Sequence, residues 1–406
     1  MIDVHKLLEE LSTYSSGGPG TTRLAYSEEW RNARRVIIRE MEQLGLAIRE
    51  DSMGNLFGRM EGKGFVNHPI GIGSHIDTVP QGGNYDGMVG VVAALSVVEQ
   101  LQAAGGTQRP VEIILFAAEE SSRFSVATMG SKAVCGQANF SEWLKMKDKE
   151  GKLFEKVIQE NGFDPAKLAE TVHQPGEWTA FLELHIEQGP MLERAGENIG
   201  IVSAIAGATR IKIFIEGRAD HSGATPMGER TDALVAAAGV ILAVEEAALA
   251  ERRYGTVATI GNVIVSPGVT NVIPGATELW LDLRGTNKES VSRTFQQIKK
   301  DIDGICNGRG CGGKIEMISS ADPVEMNEGI IELLSECADE EKLKYRVMPS
   351  GAGHDAMCMA QLTPTGMIFI PCKEGISHNP DEYTSPEEID RGIRVLKRAV
   401  ERLASQ

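Results

Sequence analysis

Residues 69–102 read PIGIGSHIDTVPQGGNYDGMVGVVAALSVVEQLQ. Pro69–Ser74 is an apolar run of strand length, and Met88–Gln102 is a run of helix length that is apolar nearly all round. A helix without a polar face has to be covered on every side, so this one belongs to the interior. Strand, turn and buried helix make the repeating unit of an α/β sheet. Further strand runs recur at Val111–Ala117 (VEIILFA), Phe181–Leu184 (FLEL), Arg210–Glu216 (RIKIFIE), Glu278–Leu283 (ELWLDL) and Met367–Ile370 (MIFI). Thr231–Glu251 and Lys288–Ile305 read as amphipathic helices. Ser385-Pro386-Glu387-Glu388 reads as a helix start, with Ser as N-cap, Pro at the first helical position and Glu closing a capping box. The fold class expected is α/β.

Two stretches read as hinges, Ala204–Gly207 (AIAG) and Ala321–Val324 (ADPV). Between them, residues 208–324 run strand, helix, strand, strand, helix, strand, a span within the normal range of a domain. The expected division is therefore an inserted α+β domain at 208–324 and a discontinuous domain made of 1–207 and 325–406.

Composition narrows the function. Lys and Arg total 41 against 57 Asp and Glu, a formal net charge of −16. Such a chain lacks the basic surface that neutralises phosphates, so no nucleic-acid partner is expected. No apolar run reaches the roughly 18 residues that a membrane span needs, so no membrane partner is expected either. MIDVHKLLEELSTYSS has no basic stretch leading into an apolar one, and the six cysteines form no CxxC pair. The expectation is a cytoplasmic enzyme with reduced thiols.

Five of the eight histidines, His75, His185, His221, His354 and His378, sit in short segments crowded with Gly, Asp, Glu and Asn. His75 and Asp77 are two apart and share a face in extended chain, so Asp77 can hold the ring nitrogen that a metal does not use. Asp86 comes directly before the buried helix, where a carboxylate is stabilised as an anion and can bridge two cations. Taken alone, the pair is equally a loop His and a helix-capping Asp. Glu119-Glu120 follows VEIILFA. Alone it reads as a solvated helix start, but adjacent carboxylates point apart, so one can bind metal while the other takes a proton from water. His185 (ELHIEQGP) and His378 (GISHNPDE) again follow apolar runs. Together His75, Asp86, Glu120, His185 and His378 form an N/O donor set without thiolate, suited to zinc and also to manganese, cobalt or nickel. Five donors with one shared Asp give each of two metals three protein ligands and an open position, which is a catalytic arrangement.

GSHIDTVPQGGNYDG, ELHIEQGP, HSGATPM and SGAGHDA together resemble the dinuclear-metal amidohydrolase family of N-carbamoyl-L-amino acid hydrolases, allantoate amidohydrolases and related ureido-acid hydrolases. That family is similar in turn to the dizinc aminoacylases and aminopeptidases. The resemblance runs from GTTRLAYS to GISHNPDEYTS. It implies a discontinuous dizinc-peptidase-like catalytic domain, with a central sheet flanked by helices, and an inserted lid and dimerisation domain. It implies two divalent ions held by the five donors, with Asp86 bridging and Glu119 as general base. It also implies that Arg284 (LWLDLRG) grips a substrate carboxylate, while His221 and Asn271 (TNVIPG) polarise the scissile carbonyl, reaching a neighbouring subunit. Gln188 and the backbone of Gly351 match substrate-contact positions. Taken alone, Arg284 reads equally well as a surface ion pair. His354 is expected to be structural support.

The activity expected is metal-dependent hydrolysis of the ureido C–N bond of N-carbamoyl-L-amino acids, a small-molecule substrate class, by a homodimer. Allantoate is the alternative substrate. A dizinc peptidase or N-acyl-amino-acid deacylase is disfavoured by His185, where the peptidase relatives usually carry a carboxylate. A catalytically dead binding module is disfavoured because every ligand and Glu119 are intact.

Overall fold

A computed structural model describes residues 2–405. The chain divides into two compact units. One holds the residues up to Ser203, Glu325–Met348 and those from Ala352 on; the other holds Ala204–Val324 and Pro349–Gly351.

In chain order the first strands are β1 (Ala47–Glu50), β2 (Leu56–Met60), β3 (Ile70–His75), β4 (Val111–Phe116), β5 (Ala180–Ile186) and β6 (Ile199–Ile205). Then come β7 (Gly207–Glu216), β8 (Asp220–His221), β9 (Val257–Ser266), β10 (Val272–Ile273), β11 (Ala276–Gly285) and β12 (Gly312–Ser320). β13 (Val324–Glu325), β14 (Tyr345–Ser350) and β15 (Thr365–Ile370) follow. The nine-stranded sheet has the order β1-β2-β4-β3-β5-β15-β6-β13, with β14 also on β6. β4, β3, β5 and β15 pair in parallel, so their carboxyl ends lie along one edge. These four strands are buried along their whole length. That is why each reads as a nearly continuous apolar run instead of an alternation.

The buried helix spans Met88–Ala103 and packs on β3 and β5 beneath the helices Val4–Ser12 and Pro386–Ser405. Covered from both sides, it needs no polar face. The helix Pro386–Ser405 turns Ile389, Ile393, Leu396 and Val400 inward. Its Ser385 Oγ accepts the Glu388 amide at 3.2 Å, but the expected capping box does not close, because the Glu388 carboxylate bonds Arg391 at 2.6 Å.

In the second unit β12-β7-β11-β9 form an antiparallel sheet. Ile211, Ile213 and Ile215 of β7 and Leu279, Leu281 and Leu283 of β11 face two helices, Ala233–Ala250 and Lys288–Gly308. The alternation of β7, buried at every second residue, is that of a sheet covered on one face. The helix Ala233–Ala250 departs from the amphipathic expectation. It buries Ala236, Ala237, Val240 and Val244, yet its outer side carries exposed Leu234, Val235, Leu242 and Leu249. By length and composition it is apolar enough to cross a membrane, which corrects the reading that no such segment exists. Two exposed glutamates, Glu245 and Glu246, interrupt it.

Candidate metal centre

Four parallel strands set the site. His75 is the last residue of β3, Glu119 and Glu120 lie just past β4, His185 is the last but one residue of β5, and His378 follows β15. Loops that leave the carboxyl edge of a parallel sheet converge there, which is where open α/β sheets place their sites.

Asp86 is the centre of the cluster. Its Oδ1 lies 3.4 Å from His75 Nε2 and 3.2 Å from His185 Nε2. Its Oδ2 lies 3.2 Å from His378 Nε2, which is 3.3 Å from Glu120 Oε1. Two trios of donor atoms therefore close on the two oxygens of one carboxylate: His75, Asp86 and His185 on one side, Asp86, Glu120 and His378 on the other. Glu119 Oε2 stands 3.8 Å from His75 Nε2.

The imidazoles have fixed roles. His75 Nδ1 donates to the Asp77 carbonyl at 3.0 Å, and His185 Nδ1 donates to the Ile186 carbonyl at 2.9 Å. A carbonyl only accepts, so in each neutral ring the Nε2 lone pair is left facing Asp86. His185 Nε2 also accepts the Gly87 amide at 3.1 Å. Two nitrogen lone pairs converging on a carboxylate oxygen are mutually repulsive unless positive charge lies between them. The donor set therefore fits divalent cations, and imidazole with carboxylate is a zinc or manganese set.

With no cation between them, the excess of carboxylate charge draws protons onto the rings instead. Burial pushes the His75 imidazole down, but the charges of Glu119, Asp86 and Asp77 outweigh it and hold it well above its ordinary value. Hydrogen bonds to Asp86 and Glu120 raise His378 to about 10. Burial pushes Glu119 well above the carboxylate range, partly offset by His75 and reinforced by Glu120.

Gly87 makes the close approach possible. It has φ +68°, and a Cβ there would run into the His75 ring. Gln188, at φ +58°, donates from Nε2 to Asp86 Oδ2 at 2.6 Å and leaves Oε1 buried without a partner.

Asp77 corrects an expectation. Its carboxylate makes no hydrogen bond to the His75 ring: Oδ1 stands 3.9 Å from Nδ1, and the two oxygens take the backbone amides of Glu119 at 3.2 Å and Glu120 at 3.0 Å. The ring is held instead by Asp77's main-chain carbonyl. His354 packs edge-on against His185, centroids 4.6 Å apart, and joins Glu183 and His185 in a further group of possible donors. Burial, with the nearby His185, pushes its imidazole well below the ordinary value.

Three supporting residues went unremarked in the sequence. Glu382 Oε1 accepts the amides of Tyr85 at 2.9 Å and Asp86 at 3.1 Å, and its Oε2 accepts Ser377 Oγ. Buried Glu183 accepts Ser74 Oγ at 2.7 Å and the Ala356 amide at 2.9 Å. Buried Arg23 donates to the Ile76 carbonyl at 2.7 Å, fixing the chain between His75 and Asp77.

The other sequence-predicted residues lie in the second unit. His221 on β8 pairs with Val272 on β10, and Asn271 accepts the Ser222 amide at 3.1 Å, so His221 and Asn271 are neighbours. Arg284 donates to both oxygens of Asp282, at 2.6 and 3.1 Å, and to the Gly351 carbonyl at 3.3 Å. The ion pair that Arg284 alone suggested therefore exists. None of the six cysteines is in a disulfide.

The sequence profile described as Peptidase family M20/M25/M40 matches residues 71–402. The chain is 38% identical over 408 residues to the allantoate amidohydrolase of Escherichia coli K12, covering 99% of this chain and 98% of that one. It is 36% identical over 401 residues to the N-carbamoyl-L-amino-acid amidohydrolase of Paenarthrobacter aurescens, covering 98% and 97%. Among solved structures, an amidase of the hydantoinase/carbamoylase family from Burkholderia multivorans superposes with a TM-score of 0.90 at 32% identity, over 100% of this chain and 98% of that one.

Proposed function

The chain belongs to the M20/M25/M40 peptidase family, as an amidohydrolase acting on C–N bonds outside peptides, and on that premise we propose that it hydrolyses N-carbamoyl-L-α-amino acids to the L-amino acid, ammonia and carbon dioxide. The observation that carries the metal-dependent part is the sharing of Asp86 between two donor trios. His75, Asp86 and His185 would hold one divalent ion, and Asp86, Glu120 and His378 the other. Such a pair supplies Lewis acidity and lowers the pKa of a bound water.

The chain's own residues do the rest. Glu119 accepts the proton of the attacking water and delivers it to the leaving nitrogen; it is buried beside the donors, with Oε2 3.8 Å from His75 Nε2, and belongs to neither trio. Asp77 fixes the backbone of Glu119 and Glu120, so that donor and base keep their separate directions. Gln188 orients Asp86 and offers its unpartnered Oε1 to a substrate amide. His221 and Asn271 donate to the carbonyl oxygen as it gains charge. Arg284 binds the substrate carboxylate and shares its guanidinium with Asp282; a planar fork of five donors can serve both. With one water consumed, the ureido group R–NH–CO–NH2 becomes R–NH2, CO2 and NH3.

Allantoate, which also carries a carboxylate beside ureido nitrogen, is the second reading. It is favoured by the likeness to the Escherichia coli enzyme along the whole chain. The test is ammonia release by zinc- or manganese-loaded protein from N-carbamoyl-L-methionine, N-carbamoyl-β-alanine and allantoate, with acetate release from N-acetyl-L-methionine alongside. Preference for the first supports the proposal. Preference for allantoate replaces the substrate, and activity on the acetyl compound alone makes the protein a deacylase.

The second unit is proposed as the lid and dimerisation domain. β9 is an edge strand with Val257, Val263 and Ile264 exposed, and the adjacent helix exposes Leu242 and Leu249. An unpaired edge beside an apolar helix face is a surface that a second copy would cover. With its thiols free, the enzyme is proposed to work in the cytoplasm.

A further inference from the structure

The loop between β7 and the helix Ala233–Ala250 carries His221 with little core to hold it: His221 itself is exposed, and Met227 is 80% exposed. The ring is nevertheless fixed by its own turn. His221 Nδ1 accepts the amides of Gly223 at 3.0 Å and Ala224 at 3.2 Å. A nitrogen that accepts two N–H groups carries no proton, so the neutral ring bears its proton on Nε2. Those amides point inward because residues 221–225 form a tight turn, in which Ala224 and Thr225 also donate to the His221 carbonyl.

The outer side of the turn is tied by one residue. Arg230 donates from Nη2 to the Ser222 carbonyl at 2.7 Å and to the Thr225 carbonyl at 3.0 Å, and from Nε to Thr225 again at 3.1 Å. Three donors in a rigid plane fix two carbonyls in direction as well as distance, which a lysine ammonium cannot do. We propose that Arg230 is a positioning residue: by clamping the Ser222 and Thr225 carbonyls it keeps the Gly223 and Ala224 amides on His221 Nδ1, and so holds the His221 proton on Nε2 as the donor used in the reaction. This rests on the reading that His221 donates to the scissile carbonyl.

The test pairs a spectrum with kinetics on the full-length, metal-loaded protein. Histidine is labelled with 15N, and the His221 signals are assigned by their loss in His221→Asn. In the unaltered protein His221 shows a protonated Nε2 and a hydrogen-bonded, unprotonated Nδ1. Arg230→Met mixes the tautomers and lowers kcat on the best ureido substrate by about 100-fold, the scale of a misplaced catalytic group, with KM nearly unchanged. Arg230→Lys falls between, and it serves as the measured variant if Arg230→Met does not fold. Guanidinium ion restores part of the turnover of Arg230→Ala. In a His221→Ala background Arg230→Met costs nothing further. An unchanged His221 spectrum in the Arg230 variants overturns the proposal, as does a kinetic penalty that persists without His221. Full activity of His221→Ala would instead sink the role given to His221, and the spectra alone would then decide whether Arg230 sets its tautomer.

Discussion

The carboxylate of Asp77 accepts the backbone amide of Glu120 at 3.0 Å, with the Glu119 amide on its other oxygen. One buried side chain thereby fixes the backbone of the proposed metal donor and of the proposed base, 43 and 42 residues along the chain. Asp77→Asn keeps the size and one acceptor but turns a donor toward the second amide. A hydrogen bond to a charged group contributes about 1.5–3 kcal/mol, and second-layer changes at metal sites cost about 10–100-fold. Metal affinity and kcat are expected to fall together by about that factor, read by metal titration and by turnover. Unchanged values for both would remove Asp77 from the machinery.

Glu119 lies in neither trio, so its removal should separate binding from chemistry. Glu119→Gln is expected to keep the full metal complement, measured by elemental analysis after gel filtration, while kcat falls by about 10²–10⁴-fold, the usual range for a lost acid–base group. If metal is lost as well, Glu119 is a ligand and the division of roles is wrong.

Asp86 and His378 should differ in what they release. Asp86→Ala takes a donor from both trios and is expected to leave close to no metal. His378→Ala takes a donor from one trio and is expected to leave one equivalent. Chelation of the unaltered protein should abolish turnover, and added zinc or manganese should restore it. Equal metal loss in the two variants would contradict the sharing.

Gly87 is pinned by conformation and by space. Gly87→Ala must adopt a positive φ with negative ψ, a sparsely populated conformation costing about 1–3 kcal/mol, and must also displace the His75 ring. Urea unfolding of metal-free protein should show that loss of stability, and metal affinity should drop with it. A variant with native metal affinity would mean that the ring can move without consequence.

The apolar edge of the second unit predicts a dimer. Sedimentation of the unaltered protein at micromolar concentration should give twice the chain mass. Val263→Lys combined with Leu242→Glu should shift it to monomer, without altering metal content. A monomeric unaltered protein would exclude the arrangement.

The long elements were readable from the sequence because their burial is uniform. PIGIGS, VEIILFA and MIFI lie in strands covered on both faces, and the run from Met88 is apolar because sheet and helices enclose it. The short strands β8, β10 and β13, two residues each, carry no period to detect. The residues that the fold brings together around Asp86 could be picked out because His and Asp in Gly-rich turns past apolar runs stand out locally. Their supports were not: Glu382 reaches the Asp86 amide across 296 residues, and Ser74 meets Glu183 across 109. Such pairings are set by which strands lie side by side, and neither partner marks its neighbourhood in sequence. Asp77 does meet His75 Nδ1, but through its main-chain carbonyl, with the carboxylate 3.9 Å away. Two-residue spacing is informative only in extended chain, and β3 ends at His75.

The single carboxylate common to both trios has a thermodynamic corollary. If two cations bind as proposed, filling one side would withdraw electron density from the oxygen on the other and hold it in place, so the two occupancies would form one linked equilibrium. Linkage requires the influence to be equal in both directions: whatever factor the first occupant imposes on the second, the second imposes on the first. The abundance of a singly filled intermediate would then reflect that coupling together with the separate affinity of each side, and only a comparison with a variant at Asp86 would isolate the part that the shared carboxylate contributes.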